Sequence, residues 1–97
     1  MAEKVKLEVL VARPPTRQCR AVIAVMEEVV RRYPDQVRLV VFEEGAPWPE
    51  QPTPALMYAL LKGSIVPACY VDGKLLVDAR VPTLDEVEQA VAALLTS

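Results

Sequence analysis

Two cysteines, Cys19 and Cys69, are the side chains of this sequence best suited to covalent chemistry. A cysteine reacts as its thiolate, so its reactivity depends on a pKa that nearby charge lowers and burial raises. The sequence contains no histidine, which removes the commonest general base and metal ligand. No residue spacing is typical of a metal site, and no glycine-rich segment resembles a phosphate-binding loop. The sequence therefore predicts thiol chemistry or no covalent chemistry.

The sequence around Cys19 supports two interpretations. Thr16 is predicted to cap a helix that begins at the next residue, which places Cys19 in the first turn. The helix dipole there and nearby arginines favour a thiolate. These arginines are Arg13, Arg17 and Arg20. Cys19 also lies three residues before Val22 and seven before Met26, so it extends an apolar stripe and is equally well interpreted as a small core residue.

Hydrophobic periodicity predicts the elements that position these residues. Alternation from Val5 to Val11 predicts a strand, and a stripe at helical spacing from Val22 to Val30 predicts a helix ending near Tyr33. The remaining predicted elements are a strand over Val37–Phe42, a helix over Pro54–Lys62 capped by Thr53 and Gly63, two strands near Pro67–Val71 and Lys74–Asp78, and a last helix after the capping-box sequence Thr83-Leu84-Asp85-Glu86.

The segment from Ser64 to Val77 is the most informative part of the sequence. Its Val66-Pro67 pair opens a short apolar strand, where a residue without an N–H donor is tolerated. Asp72-Gly73 follows and predicts a two-residue hairpin turn, because glycine and aspartate tolerate positive φ. The full order is then β-α-β-α-β-β-α, with a right-handed crossover making the first two strands parallel.

Composition narrows the possible classes of protein. The 97 residues predict one domain spanning 1–97, with 53% hydrophobic and 25% charged residues. A net charge of −2 argues against nucleic acid as a partner, and no apolar run is long enough to predict a membrane span. The first ten residues do not resemble a signal peptide, and two cysteines are too few for a disulfide scaffold. We therefore expect a cytoplasmic protein without membrane or nucleic-acid partners.

The element order, the Val66-Pro67 pair and the Asp72-Gly73 turn together resemble the thioredoxin-like superfamily, in its minimal thioredoxin or glutaredoxin form. The resemblance covers nearly the whole sequence. It implies an α/β fold with a four-stranded mixed sheet flanked by three helices, and a cis peptide bond before Pro67. In that superfamily a Cys-x-x-Cys motif begins the first helix, and its first cysteine is the nucleophile.

The resemblance places Thr16 at the position of the missing first cysteine and Cys19 at the second. A dithiol cycle within the motif is then impossible, because threonine is no thiol nucleophile. The resemblance implies that Val66 and Pro67 dock a partner's backbone. It also implies that Pro67 lies near the start of the helix, which leaves Cys69 as a core residue or as a second thiol for Cys19. Pairing needs Cα atoms within about 7 Å of each other.

Two hypotheses for function follow from these residues. In the first, Cys19 performs single-thiol chemistry with glutathione or with a thiol-containing protein or peptide, and no other cofactor is expected. In the second, a redox-silent module binds a protein or peptide beside Pro67. A buried sulfur at Cys19 argues against the first hypothesis.

Two further features, the Thr16-x-x-Cys19 spacing and Trp48, bear on function. Thr16-x-x-Cys19 is also similar to the peroxiredoxin motif, but that family has a proline where this sequence has Ala12, and its chains are longer. Trp48, in a proline-rich loop, is interpreted either as a lid over the core or as an interface anchor.

Overall fold

A computed structural model describes residues 4–63 and 65–96 of the chain. Ser64, which opens the segment singled out above, lies outside the described residues, as do residues 1–3 and 97 at the ends of the predicted domain. The predicted order of elements is confirmed. The elements are β1 (Val5–Val11), α1 (Arg17–Arg32), β2 (Val37–Glu43), α2 (Pro54–Lys62), β3 (Ala68–Val71), β4 (Lys74–Asp78) and α3 (Leu84–Leu95).

The four strands form one mixed sheet in the order β2-β1-β3-β4. β1 and β2 are parallel, as a β-α-β crossover requires, whereas β3 is antiparallel to both β1 and β4. The hairpin between β3 and β4 turns at Asp72 and Gly73, with φ of 53° and 85°. Positive φ at both central residues is what a type I′ turn needs, and this explains the Asp-Gly pair.

Each face of the sheet has its own apolar cluster. The odd-numbered side chains of β1 pack with α1 and α3, while Leu10 packs with α2 on the opposite face. β1 is buried on both faces because helices cover both, so its sequence is almost continuously apolar. Its last residue, Val11, is buried as well, directly before the loop that leads to α1.

Glu8 interrupts the apolar sequence of β1. Among the described residues it is the one charged side chain with no exposed surface. Its carboxylate accepts hydrogen bonds from the Thr53 N–H at 3.0 Å and from the Thr53 hydroxyl, and lies 3.3 Å from Lys6 Nζ. These three donors compensate the carboxylate for the loss of water.

The same carboxylate changes how α2 begins. Thr53 occupies the predicted N-cap position, but its side chain accepts no hydrogen bond from the helix. Its hydroxyl donates to Glu8 instead, so the predicted capping interaction of Thr53 is wrong. Thr16 and Thr83 do cap α1 and α3 as predicted, and Thr83 forms a complete capping box with Glu86.

An ion-pair network extends from Glu8 to the loop before α2. Lys6 Nζ also lies 2.7 Å from Glu50 Oε2, and Arg38 donates to both oxygens of Glu50 at 2.7 and 2.8 Å. The Arg38 guanidinium, followed by the Lys6 ammonium, lowers the pKa of Glu50 to about 2. The network ties the proline-rich loop to β1 and β2.

We expect Glu8→Gln to lower the free energy of unfolding by about 1.5–3 kcal/mol, the range for hydrogen bonds to a charged group. The amide keeps the shape of the side chain but loses the ionic contact with Lys6 and one acceptor for Thr53. Urea unfolding measures the change. Glu44→Gln, which removes an exposed carboxylate, is the control and should stay within about 0.5 kcal/mol of the wild type. Equal stabilities of the two variants would contradict the assigned role of Glu8.

Candidate functional site

Three loops meet at one end of the sheet. The parallel strands β1 and β2 end side by side there, with Val11 paired to Glu43, and β3 begins there with Ala68 paired to Leu10. The loop after β1 leads to Thr16, and the loop before β3 ends at Pro67. The topology therefore brings the start of α1 and the Val66-Pro67 pair to the same end of the molecule.

Thr16 is exposed at the N-cap of α1, and its hydroxyl oxygen accepts the Cys19 N–H at 3.1 Å. Cys19 begins the buried face of α1, and its side chain has no solvent-exposed surface. Its sulfur accepts a hydrogen bond from the Ala12 N–H at 3.4 Å. Cys19 thus lies in the first turn, as predicted, with its sulfur turned toward the end of β1 and away from water.

Two opposing effects act on the Cys19 thiol. Burial raises its pKa, but hydrogen bonds from the Thr16 side chain and from the Ala12 N–H outweigh burial, so that the pKa lies below its ordinary value. The carboxylate of Glu44 partly opposes this lowering. The Ala12 N–H could not be found from the sequence, because a main-chain donor leaves no signal in residue type.

Cys69 is a core residue of β3. It is fully buried between Val9 of β1 and Val77 of β4, its neighbours in the sheet. Burial raises the pKa of its thiol to about 12, so the group is protonated at neutral pH. Cys19 and Cys69 are both free thiols that contribute to the same apolar cluster. Their pairing under oxidation stays a prediction.

The peptide bond between Val66 and Pro67 is cis, and Pro67 is buried. The Pro67 carbonyl accepts the Ala79 N–H at 2.9 Å, which fixes the loop against the end of β4. Val66 is half-buried, and within residues 4–63 and 65–96 its own N–H and C=O have no hydrogen-bond partner. This open donor and acceptor are adjacent to Pro67, where an extended peptide could pair with them.

Trp48, interpreted above as a lid or an interface anchor, is one of the exposed large apolar residues. Its side chain is 41% exposed, and it is not among the buried residues of either apolar cluster. The ion pairs of Glu50 with Lys6 and Arg38 tie the same loop to β1 and β2.

The described part of the chain contains neither a cluster of metal ligands nor a membrane-spanning helix. Within it, no three side chains of His, Cys, Asp or Glu come together as metal ligands. In the same residues, no helix is long and apolar enough to cross a membrane.

Comparisons with known proteins identify a fold. No protein-family model matches the chain, and no curated protein matches it. Among solved structures, the chain is similar to thioredoxin-2 of the malaria parasite, described as a component of that organism's protein secretion machinery. The match covers 96% of this chain and 85% of thioredoxin-2, with a TM-score of 0.66 and 9% sequence identity. At that identity the similarity is one of fold, and the fold of this chain is thioredoxin-like.

The variant Thr16→Cys tests whether Thr16 and Cys19 occupy the two positions of a Cys-x-x-Cys motif. We expect the new thiol to have a pKa below about 8.5, because the helix N-terminus favours an anion. After mild oxidation it should form a disulfide with Cys19, detected by mass spectrometry of peptides. Loss of the threonine cap should cost about 1 kcal/mol, which an ordinary domain tolerates.

Arg17→Cys is the matched control for this experiment. It also introduces an exposed thiol into the first turn, but residues two apart on a helix do not face each other, so it should not pair with Cys19. A folded Thr16→Cys chain whose thiol never pairs with Cys19 would show that the motif positions are assigned wrongly.

Proposed function

We propose that this chain is a redox-silent binding module of thioredoxin-like fold, which holds an extended polypeptide segment at Val66 and Pro67 beside Thr16. The observation that carries the proposal is the burial of Cys19, whose side chain has no exposed surface. The exposed position of the motif is occupied by Thr16, which has no thiol.

Thiol–disulfide exchange requires the attacking sulfur to approach a disulfide sulfur directly, through a mixed-disulfide intermediate. A fully buried sulfur cannot reach the disulfide of a partner in the folded chain. In a Cys-x-x-Cys site a buried second cysteine can still react, because the exposed first cysteine forms the mixed disulfide. Thr16 cannot form it, so a lowered pKa at Cys19 is not sufficient for reactivity here.

Binding needs only what the folded chain exposes. Among the described residues the N–H and C=O of partly buried Val66 have no partner, so an extended segment that reached them could form main-chain hydrogen bonds, the mode by which peptides add to a sheet edge. Two free cysteines suit a reducing compartment such as the cytoplasm. The proposal requires neither a metal nor a cofactor.

Single-thiol chemistry at Cys19 is a second candidate, which the lowered pKa of its thiol favours. In this alternative the Cys19 thiolate attacks a partner's disulfide and forms a mixed disulfide, and the displaced thiolate takes a proton from water. Glutathione or a second thiol of the partner then attacks the mixed disulfide and restores Cys19. Local opening of the first turn of α1 would have to expose the sulfur in every cycle.

Alkylation of the native chain separates the two candidates. We expect iodoacetamide to modify Cys19 and Cys69 at least about a thousandfold more slowly in the native chain than in guanidinium, because both sulfurs react only after opening. Mass spectrometry of peptides follows each thiol separately. We also expect negligible reduction of insulin with dithiothreitol as electron donor.

The Thr16→Cys variant supplies the control, because its introduced thiol is exposed and should be alkylated rapidly under the same native conditions. If native Cys19 instead reacted at nearly the rate of that exposed thiol, the single-thiol candidate would replace the binding module.

A further inference from the structure

The two edges of the sheet differ in how they are protected. The edge strands are β2 and β4. β2 carries Arg38 within its length, and the ion pair of Arg38 with Glu50 ties the proline-rich loop to it. β4 has charged residues only at its ends, Lys74 and Asp78, and within residues 4–63 and 65–96 no strand pairs with its outer side. An edge strand without an interior charge is a template for pairing with a further strand.

The surface beside this edge is apolar. Leu75 of β4 is 51% exposed, and Leu94 of α3 is 39% exposed. Both line an open groove of about 230 Å³ between β4 and α3. Apart from Lys74, the described residues that line it are apolar, and they are Val71, Leu75, Leu76, Ala90, Ala93 and Leu94. A strand added to the outer side of β4 would therefore also cover apolar surface.

The two charges of β4 have no ion-pair partner in the described part of the chain. Lys74 and Asp78 are both exposed, and neither belongs to any of its ion pairs. At about 3.3 Å per residue, their Cα atoms are roughly 13 Å apart along the strand, which is too far for them to pair with each other. Opposite charges thus lie uncompensated at the two ends of one edge.

A second copy of the same strand matches this pattern. When two β4 strands lie side by side and antiparallel, Lys74 of each copy is next to Asp78 of the other, and the apolar residues meet between them. Opposite charges across neighbouring strands stabilise the pairing, whereas like charges destabilise it. A parallel arrangement would place Lys74 beside Lys74. The sequence Lys-Leu-Leu-Val-Asp is therefore self-complementary in the antiparallel orientation, as a twofold axis requires.

We propose that this chain forms a symmetric dimer in which the β4 edges of two copies pair antiparallel and join the two sheets into one of eight strands. The register of β4 with β3 is irregular at Leu76, which has no partner in β3, and such a bulge increases the local twist. The pairing is accordingly short, and the dimer forms reversibly as the concentration rises. The charge match at the strand ends tolerates a change of register by one residue, because a lysine side chain is long.

The dimer leaves the site at Pro67 open. The Ala79 N–H donates to the Pro67 carbonyl, so Pro67 lies at the Asp78 end of β4. Antiparallel pairing puts the Asp78 ends of the two copies at opposite ends of the joined sheet. The two sites therefore face away from each other, and the proposed dimer does not depend on what either site binds.

Complementary charge variants test the interface. We expect sedimentation velocity of the wild type, from micromolar to millimolar chain concentration, to show a monomer–dimer equilibrium. Lys74→Asp places two carboxylates together at both ends of the interface, and Asp78→Lys places two ammonium groups together there. Each variant alone should raise the dissociation constant of the dimer by at least about tenfold.

Two combinations of these substitutions should restore the dimer. An equimolar mixture of Lys74→Asp and Asp78→Lys should form a heterodimer, because each end of the interface then joins a lysine to an aspartate. Native mass spectrometry distinguishes this heterodimer from both homodimers by mass. The double variant Lys74→Asp/Asp78→Lys exchanges the two charges and should dimerise like the wild type. Recovery of the dimer in both cases cannot result from misfolding.

The controls change the same charges elsewhere. Lys4→Asp and Asp35→Lys alter exposed residues just before β1 and β2, and both should leave the equilibrium of the wild type unchanged. Leu75→Lys places a charge within the β4 edge and should abolish the dimer. A dimer that persists in the single charge variants, or a mixture that forms no heterodimer, would overturn the proposal. A wild type that stays monomeric at millimolar concentration would also overturn it and would leave the β4 edge to a strand of another protein.

Discussion

β1 has almost no contact with water on either face, since α1 and α3 cover one side of the sheet and α2 covers the other. A strand in this position must be apolar nearly throughout, and its ends must lie where the chain can leave the core. The carboxyl end of β1 therefore determines where α1 begins, and its pairing with β3 determines where Pro67 lies. Burial of Glu8 in the same strand adds a polar constraint, which directs Thr53 and the proline-rich loop toward β1.

Most of the fold could be predicted because its signals are local and agree with one another. The period of apolar residues in α1, the capping box at Thr83 and the Asp72-Gly73 turn each specify one conformation. The environment of Glu8 could not be predicted. Charged Lys6 and Glu8 flank apolar Leu7, and this alternation is equally typical of a strand with one face exposed to solvent. The carboxylate is buried because α2 packs over the face of the sheet that carries Glu8, and the Thr53 hydroxyl donates to it there.

The candidate site was less predictable than the fold for a related reason. Its geometry depends on main-chain groups, such as the Ala12 N–H that contacts Cys19 and the open N–H and C=O of Val66, and residue type does not report these groups. The sequence left Cys19 open between a reactive thiol and a core residue. Its side chain lies in the core, with a lowered pKa, and its reactivity stays a prediction. Thr16 and the Ala12 N–H lower the pKa of its thiol, while the apolar cluster around it buries the sulfur. The thiolate is therefore favoured where access to it, on which reactivity also depends, is restricted.

The arginines at the start of α1 have an electrostatic cost that can be compared with the stability of the whole domain. A cation in the first turn of a helix costs about 0.3–1 kcal/mol at low ionic strength, and Arg17 and Arg20 together therefore cost a measurable part of a total stability of about 5–15 kcal/mol. Elsewhere the chain places its arginines where glutamates compensate them, as Glu86 does for Arg80 and Glu28 does for Arg31. The same chain also places acidic residues in the first turn of α3, so its composition does not prevent the favourable arrangement in α1. Among the described residues no carboxylate pairs with Arg17 or Arg20, so this electrostatic cost is not compensated by an ion pair as it is for Arg31 and Arg80.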